Sequence, residues 1–126
     1  MIYGLGTDLA RVSRFQQGLE RHGERFVEQI LAPAEREAFA QAAHPARLLA
    51  KRWAVKEAFG KAAGTGVRAP ITLQALWLSH DALGRPLLCW DEAVAAWLAE
   101  RGINRAHVSL SDEADYTVAT VILEIG

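Results

Sequence analysis

The sequence has 126 residues, 51% of them apolar and 23% charged, with a formal net charge of −1. That is ordinary globular composition, enough to bury a core and short enough for a single domain over residues 1–126. Near-neutral charge gives no general attraction to nucleic acid, and a lone cysteine, Cys89, excludes an internal disulfide and a cysteine-rich metal cage.

In chain order, Met1 to Thr7 reads as a first strand ending near Asp8. Val12 to His22 follows with a helical pattern (Val12, Phe15, Leu19), broken at Gly23 before a short helix over 24–31. Pro33 suits the first turn of a third helix, with Glu35 and Glu37 near its positive end. Pro45 opens the longest helix, which stops at the glycines of GTG after Ala63. Leu73–His80 and Arg85–Trp90 are strand-like and joined by a turn-rich DALG. Asp91 caps a helix closed by Gly102, and His107–Ser111 and Tyr116–Ile125 form a second strand pair around DEAD. The order predicts a small α+β domain: antiparallel strands packed with a long central helix and several shorter ones. The first residues lack a signal-peptide pattern, and no apolar run approaches the roughly 20 residues of a membrane span, so a soluble cytoplasmic protein is expected.

The long helix is the informative one. On a helical wheel Leu48, Val55, Phe59 and Ala62 form the expected core stripe. Trp53, Glu57 and Lys61 stack on another face, and Arg52 and Lys56 make a neighbouring row that ends at Gly60. A solvated i,i+4 pair of Glu57 and Lys61 accounts for part of this pattern. Small residues around the charges (Ala54, Ala58, Gly60) leave room for a ligand, and cations around one carboxylate suit a phosphate held with a hard divalent ion. The GTG exit could add backbone N–H groups toward phosphate oxygens at Gly64 and Gly66. No Walker A spacing is present.

Asp8 stands where a strand hands over to a loop. The residues alone favour a helix N-cap or turn former there; the alternative is a second carboxylate for Mg²⁺, which takes one or two carboxylates with waters and substrate phosphates. Arg11, Arg14, Arg21 and Arg25 fall at steps of 3, 7 and 4, a local basic stripe for an acidic partner or a set of solvated arginines.

GTDLARVSR (Gly6 to Arg14) and LAKRWAVKEAFGKAAGTG (Leu49 to Gly66) resemble the two signatures of the holo-acyl-carrier-protein synthases, the short bacterial 4′-phosphopantetheinyl transferases. The tail HVSLSDEADYTVATVILE is similar to the family's closing hairpin. The resemblance spans essentially the whole chain. It implies a homotrimer with active sites between subunits, and Mg²⁺-dependent transfer of 4′-phosphopantetheine from coenzyme A to a serine of apo acyl carrier protein. That transfer releases 3′,5′-ADP and supports fatty acid biosynthesis. By motif, Asp8 and Glu57 would hold the metal, with Glu57 or its water near the attacking serine, and Lys61 would complete the catalytic set by neutralising the pyrophosphate. Coenzyme A would meet Arg52, Lys56, Lys61, Gly64, Gly66, Pro86 and His107, and the carrier protein would meet Arg11, Arg14, Arg21 and Arg25. The chain departs from the usual motif at WAV, where phenylalanine and alanine are commoner, and at Asp112, where histidine is, so Asp112 receives no role. A non-catalytic carrier- or nucleotide-binding module would share the basic stripe without needing both acids. A nucleic-acid binder is disfavoured by net charge and by tryptophans dispersed at 53, 77, 90 and 97, and acyl transfer lacks an obvious nucleophile, since Cys89 falls in an apolar strand.

Overall fold

A computed structural model describes all of residues 1–126. It runs β1 (Ile2–Arg11), α1 (Val12–His22), α2 (Glu24–Ile30), a 3₁₀ turn (Pro33–Glu35), α3 (Arg36–Ala40), α4 (Pro45–Ala63), β2 (Leu76–His80), β3 (Pro86–Trp90), α5 (Glu92–Glu100), β4 (Arg105–Glu113) and β5 (Tyr116–Glu124). The strands form an antiparallel three-stranded sheet in the order β1-β5-β4 and a separate β2–β3 hairpin. The α+β class expected from the sequence is what the chain adopts.

Local chemistry sets the helix ends. Pro45 occupies the first turn of α4, where its missing N–H leaves no bond unmade. The helix stops as Gly64 turns left-handed at φ 82°, a conformation that costs glycine little. Asp91 caps α5 by accepting from the Val94 N–H at 3.0 Å.

α4 lies against one face of the three-stranded sheet, over Thr117, Ala119, Val121 and Leu123 of β5, all fully buried. β1 approaches α4 unusually closely because Gly4 and Gly6 have no side chains. A Cβ at these positions would stand 1.8 Å from the Ala62 carbonyl oxygen and 2.0 Å from that of Ala58. Strand alternation then puts Asp8, opposite Ala119, on this inner face with Gly6 and Ala10. Leu5, Thr7 and Leu9 point the other way, beside Ile122, Thr120 and Val118. That outer face is bare: Leu5 and Leu9 are 63% and 64% exposed.

Several boundaries differ from the sequence expectation. β1 continues to Arg11 because pairing with β5 persists to Arg11–Tyr116, and β4 reaches Glu113 for the same reason. The third helix divides at Glu35 into a 3₁₀ turn and α3, and β2 starts at Leu76 rather than Leu73. The larger correction concerns α4. Its wheel predicts one core stripe, whereas β1 and β5, α1 and α2, and β2 pack around several sides, so that Arg52 and Lys56 are buried with the apolar residues.

Candidate active site

Two separate elements bring an acid–acid–lysine group together at the rim of α4. Glu57 and Lys61 lie one turn apart on the helix, and Asp8 faces them from β1. Lys61 Nζ donates to Asp8 Oδ1 at 3.1 Å and to the Thr7 carbonyl at 2.9 Å. The Asp8 side chain is 16% exposed and that of Lys61 55%. Partial burial and the nearby charge of Asp8 raise the Glu57 pKa above the usual glutamate value, against the opposing pull of Lys61 and Arg14. Two carboxylates sharing a rim, one of them electrostatically disfavoured, make a place for a cation. No group of three or more His, Cys, Asp or Glu side chains in the molecule is placed to hold a metal ion. The donor set is therefore two carboxylates, which fits Mg²⁺ with water and substrate phosphates in the remaining positions, and does not fit Zn²⁺.

Lys56, expected to meet coenzyme A, is instead interior. It is 1% exposed, and its ammonium donates to Glu35 Oε1 at 2.6 Å and to the Ile30 carbonyl at 2.7 Å. Burial holds its pKa below the ordinary lysine value, against the attraction of Glu35. Arg52, 7% exposed, is committed at one nitrogen to Glu35 Oε2 (3.1 Å) and the Leu78 carbonyl (2.7 Å), yet still lines a surface groove. The wheel missed both because the balancing carboxylate, Glu35, comes from the 3₁₀ turn.

The GTG exit also departs from expectation. The N–H groups of Gly64, Thr65 and Gly66 turn back onto the Gly60 carbonyl at 3.1, 3.2 and 3.0 Å. They close the helix rather than face outward, so the amides of Gly64 and Gly66 are not free for phosphate. His107 lies on the outer face of the sheet, paired with Glu124, on the side opposite Asp8. Pro86 begins β3 opposite His80. Neither joins the Asp8–Glu57–Lys61 group within one chain.

Of the four arginines, Arg14 and Arg21 belong to α1, and Arg25 follows the break at Gly23 on α2. Arg11 leaves the stripe: it ends β1 and donates to the Tyr116 hydroxyl at 2.7 Å. Arg14 and Trp53 also line a mostly apolar cavity of about 440 Å³ with Phe15, Phe26, Ile30 and Leu73.

A second feature escaped the sequence reading. Between the start of α4 and β2 lies a groove of about 280 Å³ whose lining includes His44, Arg47, Lys51, Arg52 and His80. Asp112 pairs there with Lys51 at 2.8 Å and Arg47 at 3.7 Å. Burial, then the charges of Arg52 and Lys51, push the His80 pKa below its usual value. The 47, 51, 52 spacing was a visible helical signal; His80 joins only through the hairpin.

Residues 4–121 match the family model described as the 4′-phosphopantetheinyl transferase superfamily. A holo-acyl-carrier-protein synthase of Aromatoleum aromaticum is 55% identical over 124 residues, covering 98% of both chains. One from Laribacter hongkongensis is 55% identical over 98% of this chain and 99% of its own. Among solved structures, the synthase of Neisseria meningitidis superposes with a TM-score of 0.95 at 44% identity, over 98% of this chain and 99% of that one. The Bacillus anthracis synthase, solved in complex with CoA (3′,5′-ADP), gives a TM-score of 0.83 at 28% identity, over 100% and 99%.

Proposed function

The chain belongs to the 4′-phosphopantetheinyl transferase superfamily, among its holo-acyl-carrier-protein synthases, and from that premise we propose how its residues share the work. It is an enzyme that transfers 4′-phosphopantetheine to an acyl carrier protein. The donor is coenzyme A, as support from the coenzyme A complex of the Bacillus anthracis relative indicates. The acceptor is a carrier serine: its hydroxyl oxygen bonds to the pantetheine-bearing phosphorus, the pyrophosphate bridge breaks, and 3′,5′-ADP departs. The carriers of fatty acid biosynthesis are the proposed physiological acceptors.

The observation behind this reading is the meeting of Asp8, Glu57 and Lys61 from β1 and α4. Phosphoryl-type transfer asks mainly for positioning and charge neutralisation. Asp8 and Glu57 would hold Mg²⁺, which supplies charge neutralisation on the pyrophosphate when bound. Lys61, more than half exposed, can release Asp8 and turn toward the leaving oxygens. Glu57, with its raised pKa, is suited to take the serine proton, directly or through water. Arg14, beside Glu57, with Arg21 and Arg25 further along, forms the surface for an acidic carrier helix.

A homotrimer with sites between subunits agrees with two further facts. The outer sheet face exposes Leu5 and Leu9, and His107 sits on that face, opposite the side that carries Asp8. No helix is long and apolar enough to cross a membrane, and a cytoplasmic location is proposed. The deciding experiment is mass spectrometry of an apo acyl carrier protein incubated with the protein, coenzyme A and Mg²⁺. One added phosphopantetheinyl group is expected; an unmodified carrier, or equal modification in excess chelator, overturns the reading.

A further inference from the structure

We infer that Glu35 is a positioning residue for coenzyme A binding and acts through Arg52, an inference that rests on the donor being coenzyme A. Both carboxylate oxygens of this fully buried residue are used twice. Oε1 accepts from the Ala32 N–H at 3.0 Å and from Lys56 at 2.6 Å, and Oε2 accepts from Arg52 at 3.1 Å and from the Leu78 N–H at 3.1 Å. The same Arg52 nitrogen also donates to the Leu78 carbonyl at 2.7 Å. A planar guanidinium held at one nitrogen by two acceptors has its plane and depth set, while the rest of the side chain borders the groove with Arg47, Lys51, His44 and His80.

The charge balance points outward. Lys56 and Arg52 both bond to Glu35, so the buried group sets two basic side chains against one carboxylate. A surplus buried cation costs stability and is not needed to satisfy Glu35. Its field reaches the groove, where it and Lys51 depress His80 after burial has done so first. Asp112 answers only Lys51 and Arg47. The missing counter-charge is an anion in the groove, and coenzyme A carries phosphates. Glu35 thus fixes a long, flexible arginine during folding, so that ordering it is not a cost of binding.

The test is a kinetic cycle on the full-length protein with coenzyme A and apo carrier. Glu35→Gln keeps shape but cannot accept at both ends, and is expected to raise the coenzyme A KM about tenfold, leaving kcat and the carrier KM within about twofold. Arg52→Met is expected to raise the same KM similarly, and adding Glu35→Gln to it should raise KM less than about twofold further, the signature of one residue working through the other. Glu35→Asp, which keeps the charge, should recover part of the loss and is measured in the same way if the glutamine variant does not fold. Multiplying effects in the double variant, or kcat and both KM values moving together, overturn the inference. No transfer from coenzyme A by the unaltered protein overturns the functional reading instead, so the two failures are distinct.

Discussion

Lys56 and Glu57 are adjacent in sequence and end in opposite circumstances. Lys56 points inward, donating to a carboxylate and a backbone carbonyl, and no buried side-chain polar atom in the molecule lacks a partner. Glu57 points to the rim, where Asp8 repels it and one exposed lysine serves both acids. The buried Glu35–Lys56–Arg52 group is complete in its acceptors, so its inner half holds three elements together. The rim group is in electrostatic conflict, and a conflict that an added cation resolves marks a site rather than a brace.

Four changes separate the two clusters, in falling order of effect. Glu57→Ala should lower transfer roughly 10³-fold or more while leaving the circular dichroism spectrum unchanged, because it removes a rim acid and no buried partner. Normal turnover in saturating Mg²⁺ would erase the distinction. Lys56→Ala should do the reverse, costing about 3–5 kcal/mol in chemical denaturation by leaving Glu35 buried and half-paired. A loss below about 1 kcal/mol would show the buried pair to be dispensable. Arg14→Ala should raise the carrier KM about tenfold with the coenzyme A KM nearly unchanged, and the wild-type carrier affinity should fall with salt.

The smallest effect concerns proton linkage. Glu57 has a folded pKa raised above its unfolded value, so its ionised form costs the folded state stability. That cost is full above the folded pKa, declines as pH falls through it, and is gone below the unfolded value near about 4.3. In metal-free buffer, Glu57→Gln should therefore be more stable than wild type at pH 7 to 8, with the gap closing on acidification. Titration with Mg²⁺ should favour the wild type again. A gap that widens on acidification would contradict the burial and the Asp8 charge that together raise the Glu57 pKa.

The distinction between the clusters was only partly legible in the chain. Pro45, Gly64 and Asp91 act locally, and the helix ends they predict are the ones observed. Strand ends at Arg11 and Glu113 depend on pairing partners over 100 residues away or across a turn, and the local pattern stopped short of both. The meeting of Asp8 with Glu57 is a matter of how β1 crosses α4, which no periodicity encodes; the residues alone leave it as one alternative, and the motif resemblance is what implies it. A helical wheel assumes one dry side and so does not reveal the burial of Lys56, whose partner Glu35 stands 21 positions away. The turned-back amides after Gly60 follow from helix closure, which competes with any ligand for the same N–H groups.

Gly6 gives this arrangement an unexpected point of fragility. It bears no side chain at all, yet a single methyl there would collide with the Ala58 carbonyl and wedge the strand off the helix. The spacing of strand and helix that brings the two acids together is thus gauged by an empty volume, and the proposed metal grip could be spoiled by a mutation that alters no functional group at all.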